Sequence, residues 1–331
     1  MVNSLGEAAL VFLAGTGACL ACAPLAIRWL SSAQCIQPTR YEDCPPLLTY
    51  QAAKHGTPTM GGLLVLAVGI AVAAAAGGLT HRNGWLVLCA VVGLGAVGLF
   101  DDLLKLRGKN AAGLQGLPKF VVALIIGGAL GLSVSSQMFS YNVLEVPWLQ
   151  RTVDLGWGWI PLSMLVMAGC AHSVNLTDGM DGLAAGCVAI ALSVLGLWAL
   201  AGDPRSRVLV PWCASFAGVC VGFLWFNSFP ASVFLGDVGA LGLGAAVAAV
   251  SLLTHSALLL LIVGGVFVVE ALSVMLQVAS YKWRGQRRIF RVAPLHHHFH
   301  LGGVSEPKLI VRFWIVGLLL GVLALTTVDL P

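Results

Sequence analysis

Ten apolar stretches divide this chain, most of them near the roughly 20 residues a helix needs to cross a bilayer. They run over about 8–30, 59–79, 85–100, 118–136, 157–172, 182–201, 208–226, 237–253, 257–280 and 309–328, the third and fifth being the shortest. A chain so nearly continuous in apolar residues lacks the polar surface a soluble enzyme needs. Composition closes the other routes. Of 331 residues 58% are hydrophobic and 10% charged, too apolar for a disordered chain, and the 40 glycines follow no collagen triplet. Only a helix or a closed barrel satisfies its backbone within lipid. Stretches of this length predict an all-α, polytopic integral membrane protein, and without a repeat at a fixed period residues 1–331 read as one transmembrane domain.

The nine cysteines are scattered, and the formal C-x-x-C of Cys19 and Cys22 lies inside the first apolar run, where cysteine acts as a small hydrophobe. No Lys or Arg precedes that run, so it reads as a first transmembrane helix and not as a signal peptide.

Orientation follows from the basic residues. Arg28, Arg40, Lys54, Lys105, Arg107, Lys109, Lys119, Lys282, Arg284, Arg287, Arg288, Arg291, Lys308 and Arg312 fall in or beside alternate connections, fourteen on one side. Arg82, Arg151, Arg205 and Arg207 are the four on the other. The fourteen-residue side is predicted to be cytoplasmic, with both termini outside. Glu42, Asp43, Asp101, Asp102, Asp178, Asp181, Asp237 and Glu306 sort to that same side, as do His55, His172, His296, His297, His298 and His300.

Three acidic motifs on that face suggest chemistry. Asp101 and Asp102 end the third stretch; adjacent carboxylates at a membrane boundary repel and need a cation, either a metal or lysines such as Lys105. In Asn175-Leu-Thr-Asp178-Gly-Met-Asp181-Gly182 the two aspartates are spaced to share a helical face. Asp237 opens the eighth stretch in Phe234-Leu-Gly-Asp237-Val-Gly239. Helix capping accounts for one such aspartate but not for the set. Thr57-Pro58-Thr59-Met-Gly61-Gly62 precedes the second stretch, with Thr57 as an N-cap and Pro58 at the first helical position. Helix N-termini suit phosphate, and carboxylates beside them suit Mg²⁺, so together these segments predict a metal-diphosphate pocket.

The run Pro294-Leu-His296-His297-His298-Phe-His300 lacks a thiolate at ligand spacing, and neighbouring side chains diverge, so hydrogen bonding to nucleotide or phosphate is expected rather than zinc. Gly93-Leu-Gly95-Ala-Val-Gly98 has the dinucleotide-binding spacing but lies inside an apolar helix with no strand before it, which predicts close helix packing. Glu270, in mid-helix, requires a partner or a proton, and its partner is not legible.

Taken together, these segments resemble the phospho-N-acetylmuramoyl-pentapeptide transferases (MraY), within the polyprenyl-phosphate sugar-1-phosphate transferase superfamily. The resemblance rests on Lys54-His-Gly-Thr-Pro-Thr-Met-Gly-Gly62, Asp101-Asp102-Leu-Leu-Lys105, Val174 to Gly182, Phe223 to Asn227, Val233 to Gly239, Glu270 to Gln277 and Ala293 to Phe299. The histidine run points to this branch rather than to an N-acetylglucosamine-1-phosphate transferase.

The resemblance implies ten helices in the bacterial cytoplasmic (inner) membrane, periplasmic termini, an active site on the cytoplasmic face and a homodimer. It implies transfer of phospho-MurNAc-pentapeptide from UDP-MurNAc-pentapeptide to undecaprenyl phosphate, giving lipid I and UMP with Mg²⁺, as a step of peptidoglycan synthesis. By motif position Asp237 would hold the metal, and Asp101 or Asp102 would orient or deprotonate the lipid phosphate. Lys54, Thr59, Asn175, Asp178, Asp181, Asn227, Phe234, Gln277 and the catalytic run His296, His297, His298 would line the nucleotide and diphosphate site, Phe234 facing the uracil ring. Lys105 and Lys119 would counter phosphate charge. Two positions depart from the family pattern: His172 stands where asparagine is common, and His300 where an acid is common. The competing readings are an N-acetylglucosamine-1-phosphate transferase and, in another class, a membrane transporter with intramembrane ion sites.

Overall fold

A computed structural model describes residues 2, 4–36, 54, 56–107, 113–136, 142–149, 151–202 and 204–327. Arg40, Glu42, Asp43, His55 and Lys109 lie outside the described residues. Among the described residues the fold is all-α apart from one hairpin. Helices α1 (Leu5–Ser32), α2 (Gly62–Ala75), α3 (Arg82–Arg107) and α4 (Gly116–Ser135) lead to strands β1 (Val143–Val146) and β2 (Arg151–Asp154). Then follow α5 (Trp159–Thr177), α6 (Leu183–Ala201), α7 (Val210–Asn227), α8 (Gly236–Leu253), the short α9 (Leu260–Val263), α10 (Gly265–Trp283), the short α11 (Leu295–His300) and α12 (Glu306–Leu325).

Among the described residues nine helices are long and apolar enough to cross a membrane, one fewer than the ten apolar stretches suggest. The exception is α2, whose 14 residues rise about 21 Å against a hydrocarbon core of about 30 Å. Its end is a glycine stop: Gly77 takes a left-handed φ of 85°, and Gly78 N donates back to the Ala73 carbonyl at 2.8 Å. Stretch 257–280 is interrupted at Gly264, which separates α9 from α10. Between α4 and α5, β1 pairs antiparallel with β2, Val146 opposite Arg151, following the end of α4 opposite to Lys119; the sequence marks that segment only as a polar break.

The bundle is built around α8, every residue of which is buried. Gly239, Gly242 and Gly244 let neighbours approach to backbone contact. A Cβ on Gly62 of α2 would lie 2.2 Å from Gly239 N, and one on Gly244 would lie 2.6 Å from Ala171 Cα of α5. In lipid no hydrophobic force drives helices together, so such small-residue contacts carry the packing. Gly93, Gly95 and Gly98 of α3 serve the same purpose, as their spacing within an apolar run predicts: Cβ atoms there would strike Ile126, Leu66 and the Asp237 backbone respectively.

Candidate active site

Close packing of α3 on α8 creates the site. A Cβ at Gly98 would lie 2.2 Å from the Asp237 carbonyl oxygen and 2.6 Å from Val238 Cα, so only glycine permits this crossing. One turn further along α3 stand Asp101 and Asp102. They do not end the helix as expected: α3 continues to Arg107, carrying both acids and Lys105 on its last turns. Asp237 occupies the first turn of α8, as its motif predicts. Each of the three aspartates is at most 4% exposed, and their ligand oxygens all lie within 4.8 Å of one another.

Two lysines complete the cluster. Lys105 forms ion pairs with Asp101 and, at 2.9 Å, with Asp237 Oδ1, and stands 3.8 Å from Asp102 Oδ1. Lys119, in the first turn of α4, reaches Asp237 Oδ2 at 3.0 Å and Asp101 Oδ2 at 3.3 Å. Backbone donors fix the acids: Leu114 N donates to Asp101 Oδ1 at 2.5 Å and Val238 N to Asp102 Oδ2 at 3.0 Å. Among the described residues two ammonium groups face three carboxylates, so the cluster is one positive charge short there. Its hard oxygen donors and that deficit fit a divalent cation of the Mg²⁺ type.

Thr59 joins this cluster through paired loops. Phe234 N donates to the Pro58 carbonyl at 2.8 Å, and Gly61 N and Gly62 N donate to the Phe234 and Leu235 carbonyls at 2.9 and 2.8 Å. These donors at the start of α2 are therefore engaged within the protein and do not form a free phosphate nest. Nor is Thr57 an N-cap, since α2 begins at Gly62 and the Thr57 hydroxyl contacts the Ala231 carbonyl at 3.5 Å. Gly236 has φ 76°, and a Cβ on it would lie 2.8 Å from Asp102 Oδ2 and 3.1 Å from Thr59 Oγ1. The Thr59 hydroxyl oxygen is buried there with no hydrogen-bond partner among the described residues.

A second cluster lies at the same end of the bundle. Lys54 Nζ stands 2.5 Å from Asp181 Oδ1 and 2.7 Å from Glu306 Oε1, and 6.0 Å from the centre of the Phe229 ring. Asp181 Oδ2 accepts from Ala231 N at 3.0 Å. Burial pushes the Asp181 carboxyl above the ordinary range, against the pull of Lys54. Asn175 lies in the last turn of α5, while Asp178 and Asp181 lie in the turn before α6; they do not share a helical face. Gly179 between them is where the histidines arrive: a Cβ there would lie 2.3 Å from His296 Nε2 and 3.3 Å from His297 Nε2.

The histidine run forms α11, whose turn separates its side chains. His296 and His297 are buried with ring centres 4.2 Å apart, whereas the His298 Nδ1 accepts from Arg291 N at 3.1 Å. Burial, with the charges of His296, His300 and Lys54 adding, pushes His297 down to about 2, so its imidazole is neutral. Glu270 of α10 answers the open question of its partner: it accepts from His296 N at 3.2 Å and stands 3.1 Å from His296 Nδ1. His300 Nδ1 lies 3.1 Å from the Val304 carbonyl, a local turn contact.

Two expected ligand-facing amides act within the protein. Gln277 accepts from Ile289 N and Phe290 N and donates to the Phe290 carbonyl, fastening the basic loop to α10. Buried Asn227 donates to the Val233 carbonyl at 2.8 Å and closes the loop ahead of Asp237. Phe234 is half-buried beside that loop. His172 lies near Lys119, its ring centre 5.5 Å from that of Phe120, with Nε2 buried and unpartnered among the described residues. Glu306 is absent from the expected site set; its place at the head of a helix reads as capping, and its contacts with Lys54 and Asp181 are distant in sequence.

Residues 84–255, which span α3 to α8 and contain all three clustered aspartates, match the profile of glycosyl transferase family 4. The fold and site therefore define a membrane-embedded transferase of that family. Curated relatives narrow this. A phospho-N-acetylmuramoyl-pentapeptide-transferase of Thermodesulfovibrio yellowstonii is 41% identical over 324 residues, covering 93% of this chain and 89% of its own length. Those of Citrifermentans bemidjiense and Pelobacter propionicus are 44% and 41% identical, covering 84% and 94% of the chain and 81% and 90% of themselves. The chain belongs to the phospho-N-acetylmuramoyl-pentapeptide-transferase family.

Proposed function

We propose that this protein transfers phospho-MurNAc-pentapeptide from its UDP carrier to undecaprenyl phosphate, releasing UMP and forming lipid I, at the Asp101, Asp102 and Asp237 site. The observation that carries the reading is the meeting of three buried carboxylates and two lysines at one end of a membrane bundle. Phosphoryl transfer is catalysed chiefly by positioning and charge neutralisation, which such a cluster supplies. An oxygen of the lipid phosphate attacks the sugar-bound phosphorus, and the bond to UMP breaks with its electron pair leaving on UMP. Asp102 is the best-placed base or orienting group, because Asp101 is occupied by Leu114 N and both lysines while Asp102 Oδ1 is 3.8 Å from Lys105. Asp237 would be the principal metal ligand, and bound Mg²⁺ would neutralise the diphosphate and the departing UMP. Lys105 and Lys119 turn from the carboxylates to phosphate oxygens. The displacement is direct, without an aspartyl-phosphate on Asp237, because that carboxylate serves better in holding the metal.

Lys54, Thr59, Asn175, Asp178, Asp181, Phe234 and the His296 to His298 helix form the nucleotide and diphosphate side, with Asn227 and Gln277 supporting its loops. An apolar groove of about 300 Å³ between α5 and α9–α10, lined by residues such as Leu165, Gly169, Leu261, Phe267 and Leu272, suits a polyprenyl chain. The basic-residue count supports placing the site end on the cytoplasmic face of the bacterial inner membrane. The family resemblance adds a homodimer, and the lack of a fixed-period repeat supports a single domain over residues 1–331.

The test is UMP release by purified protein with undecaprenyl phosphate and Mg²⁺. Release from UDP-MurNAc-pentapeptide, at least 100-fold faster than from UDP-N-acetylglucosamine and abolished by chelation, is the expected result. The reverse preference, or release from neither, contradicts the proposal.

A further inference from the structure

Glu306 is 3% exposed at the first position of α12, and its bonds are not those of a simple cap. A capping carboxylate bonds donors of its own helix. Both hydrogen bonds to Glu306 Oε1 come instead from far away in the chain: Lys54 Nζ at 2.7 Å, 252 residues distant, and Asp181 N at 2.9 Å, 125 residues distant. Glu306 Oε2 is buried and makes no hydrogen bond among the described residues. Through Asp181, which also accepts from Ala231 N, the contact joins the approaches to α2, α6 and α8 to the start of α12. The carboxylate thus lies where four chain connections converge, next to the helix that carries His296 and His297.

We infer that Glu306 is a positioning residue for nucleotide-diphosphate binding, acting through Lys54 and the 178–182 turn. The inference rests on the reading of Lys54 as a diphosphate-binding residue. A lysine loses side-chain freedom when it is fixed on a ligand. Glu306 holds the ammonium in place beforehand, while the Lys54 side chain remains 16% exposed. Asp181 alone does not suffice, because its turn is itself held by the bond from Asp181 N to Glu306. The side chain of Glu306 is 2% exposed behind Lys54, so it acts without touching the ligand.

The experiment is a double-mutant cycle on the full-length protein, with UDP as the probe in the presence of Mg²⁺, and with steady-state kinetics beside it. Glu306→Ala is expected to weaken UDP binding at least 10-fold and to raise the KM for the nucleotide substrate, leaving the KM for undecaprenyl phosphate within 2-fold. Glu306→Gln, which keeps an acceptor oxygen for both donors, is expected to restore most of the affinity. Combined with Lys54→Met, Glu306→Ala should add little to the loss caused by Lys54→Met alone. Wild-type UDP affinity in Glu306→Ala, or fully additive losses, would overturn the inference while leaving the role of Lys54 intact. Wild-type affinity in Lys54→Met would overturn that role and the inference with it. If Glu306→Ala does not fold, Glu306→Asp, one methylene short of the two donors, is read in the same way.

Discussion

Glu270 and His296 are joined twice across 26 residues: the backbone N of His296 donates to Glu270 Oε1 at 3.2 Å, and its ring Nδ1 lies 3.1 Å from Oε2, with both side chains fully buried. A mid-helix acid in a membrane bundle is costly unless partnered. Here it fixes the orientation of the ring that meets Gly179. Glu270→Ala leaves the N–H without its acceptor and is expected to cost about 1–3 kcal/mol of stability. Turnover should fall at least 10-fold, and Glu270→Gln should lose less of both. Thermal melts beside UMP-release rates check this.

Gly98→Ala tests whether the α3–α8 crossing builds the site. The added Cβ would lie 2.2 Å from the Asp237 carbonyl oxygen, so the helices must separate and carry Asp101 and Asp102 away from Asp237. A displacement near 1 Å costs about 100-fold in rate. Gly17→Ala in α1, where a Cβ meets nothing within 4 Å, is the neutral control. Single-turnover UMP release on both variants gives the comparison.

Lys105 contacts all three aspartates, so Lys105→Met leaves the cluster short of two positive charges instead of one. Removing one partner of a buried charge cluster costs about 3–5 kcal/mol. Mg²⁺ entering among the freed oxygens should recover part of this. Added Mg²⁺ is therefore expected to raise the melting temperature of Lys105→Met more than that of the unaltered protein; equal shifts would place the cation elsewhere.

His297 sets an acid limit. Burial holds its folded-state value at about 2 against an ordinary 6.5, so between those values the unfolded chain binds the extra proton and the folded protein does not. Stability attributable to this group is complete above pH 6.5 and falls as pH drops below it. His297→Gln should flatten the acid limb of a stability-against-pH curve measured from pH 7 to 4.

Much of this was legible in the sequence because it depended on local pattern. The apolar stretches predict the helices, the glycines of α3 predict tight packing, and Asp237 stands in the first turn of α8 as its motif implies. What was not legible came from contacts at long range. Asp102 is carried within α3 because Lys105, Lys119 and Val238 N make burial of the acidic turn tolerable, so the drop in hydropathy after residue 100 does not mark the helix end. Thr57 and Pro58 carry an N-cap signature, yet the Pro58 carbonyl accepts from Phe234 N and α2 begins only at Gly62. Gln277 bonds the Ile289–Phe290 backbone and Asn227 the Val233 carbonyl, loop contacts that spacing along the chain does not reveal. The partners of Glu270 and Glu306 depend on how helices pack, which spacing along the chain does not encode.

In the proposed transfer Asp237, held between Lys105 and Lys119 beside Asp101 and Asp102, is the group on which turnover depends. The most direct measurement is UMP release by Asp237→Asn at saturating Mg²⁺, with folding verified by an unchanged melt. The substitution keeps the shape and removes one charge, and turnover is expected to vanish. Turnover like that of the unaltered protein would contradict the account.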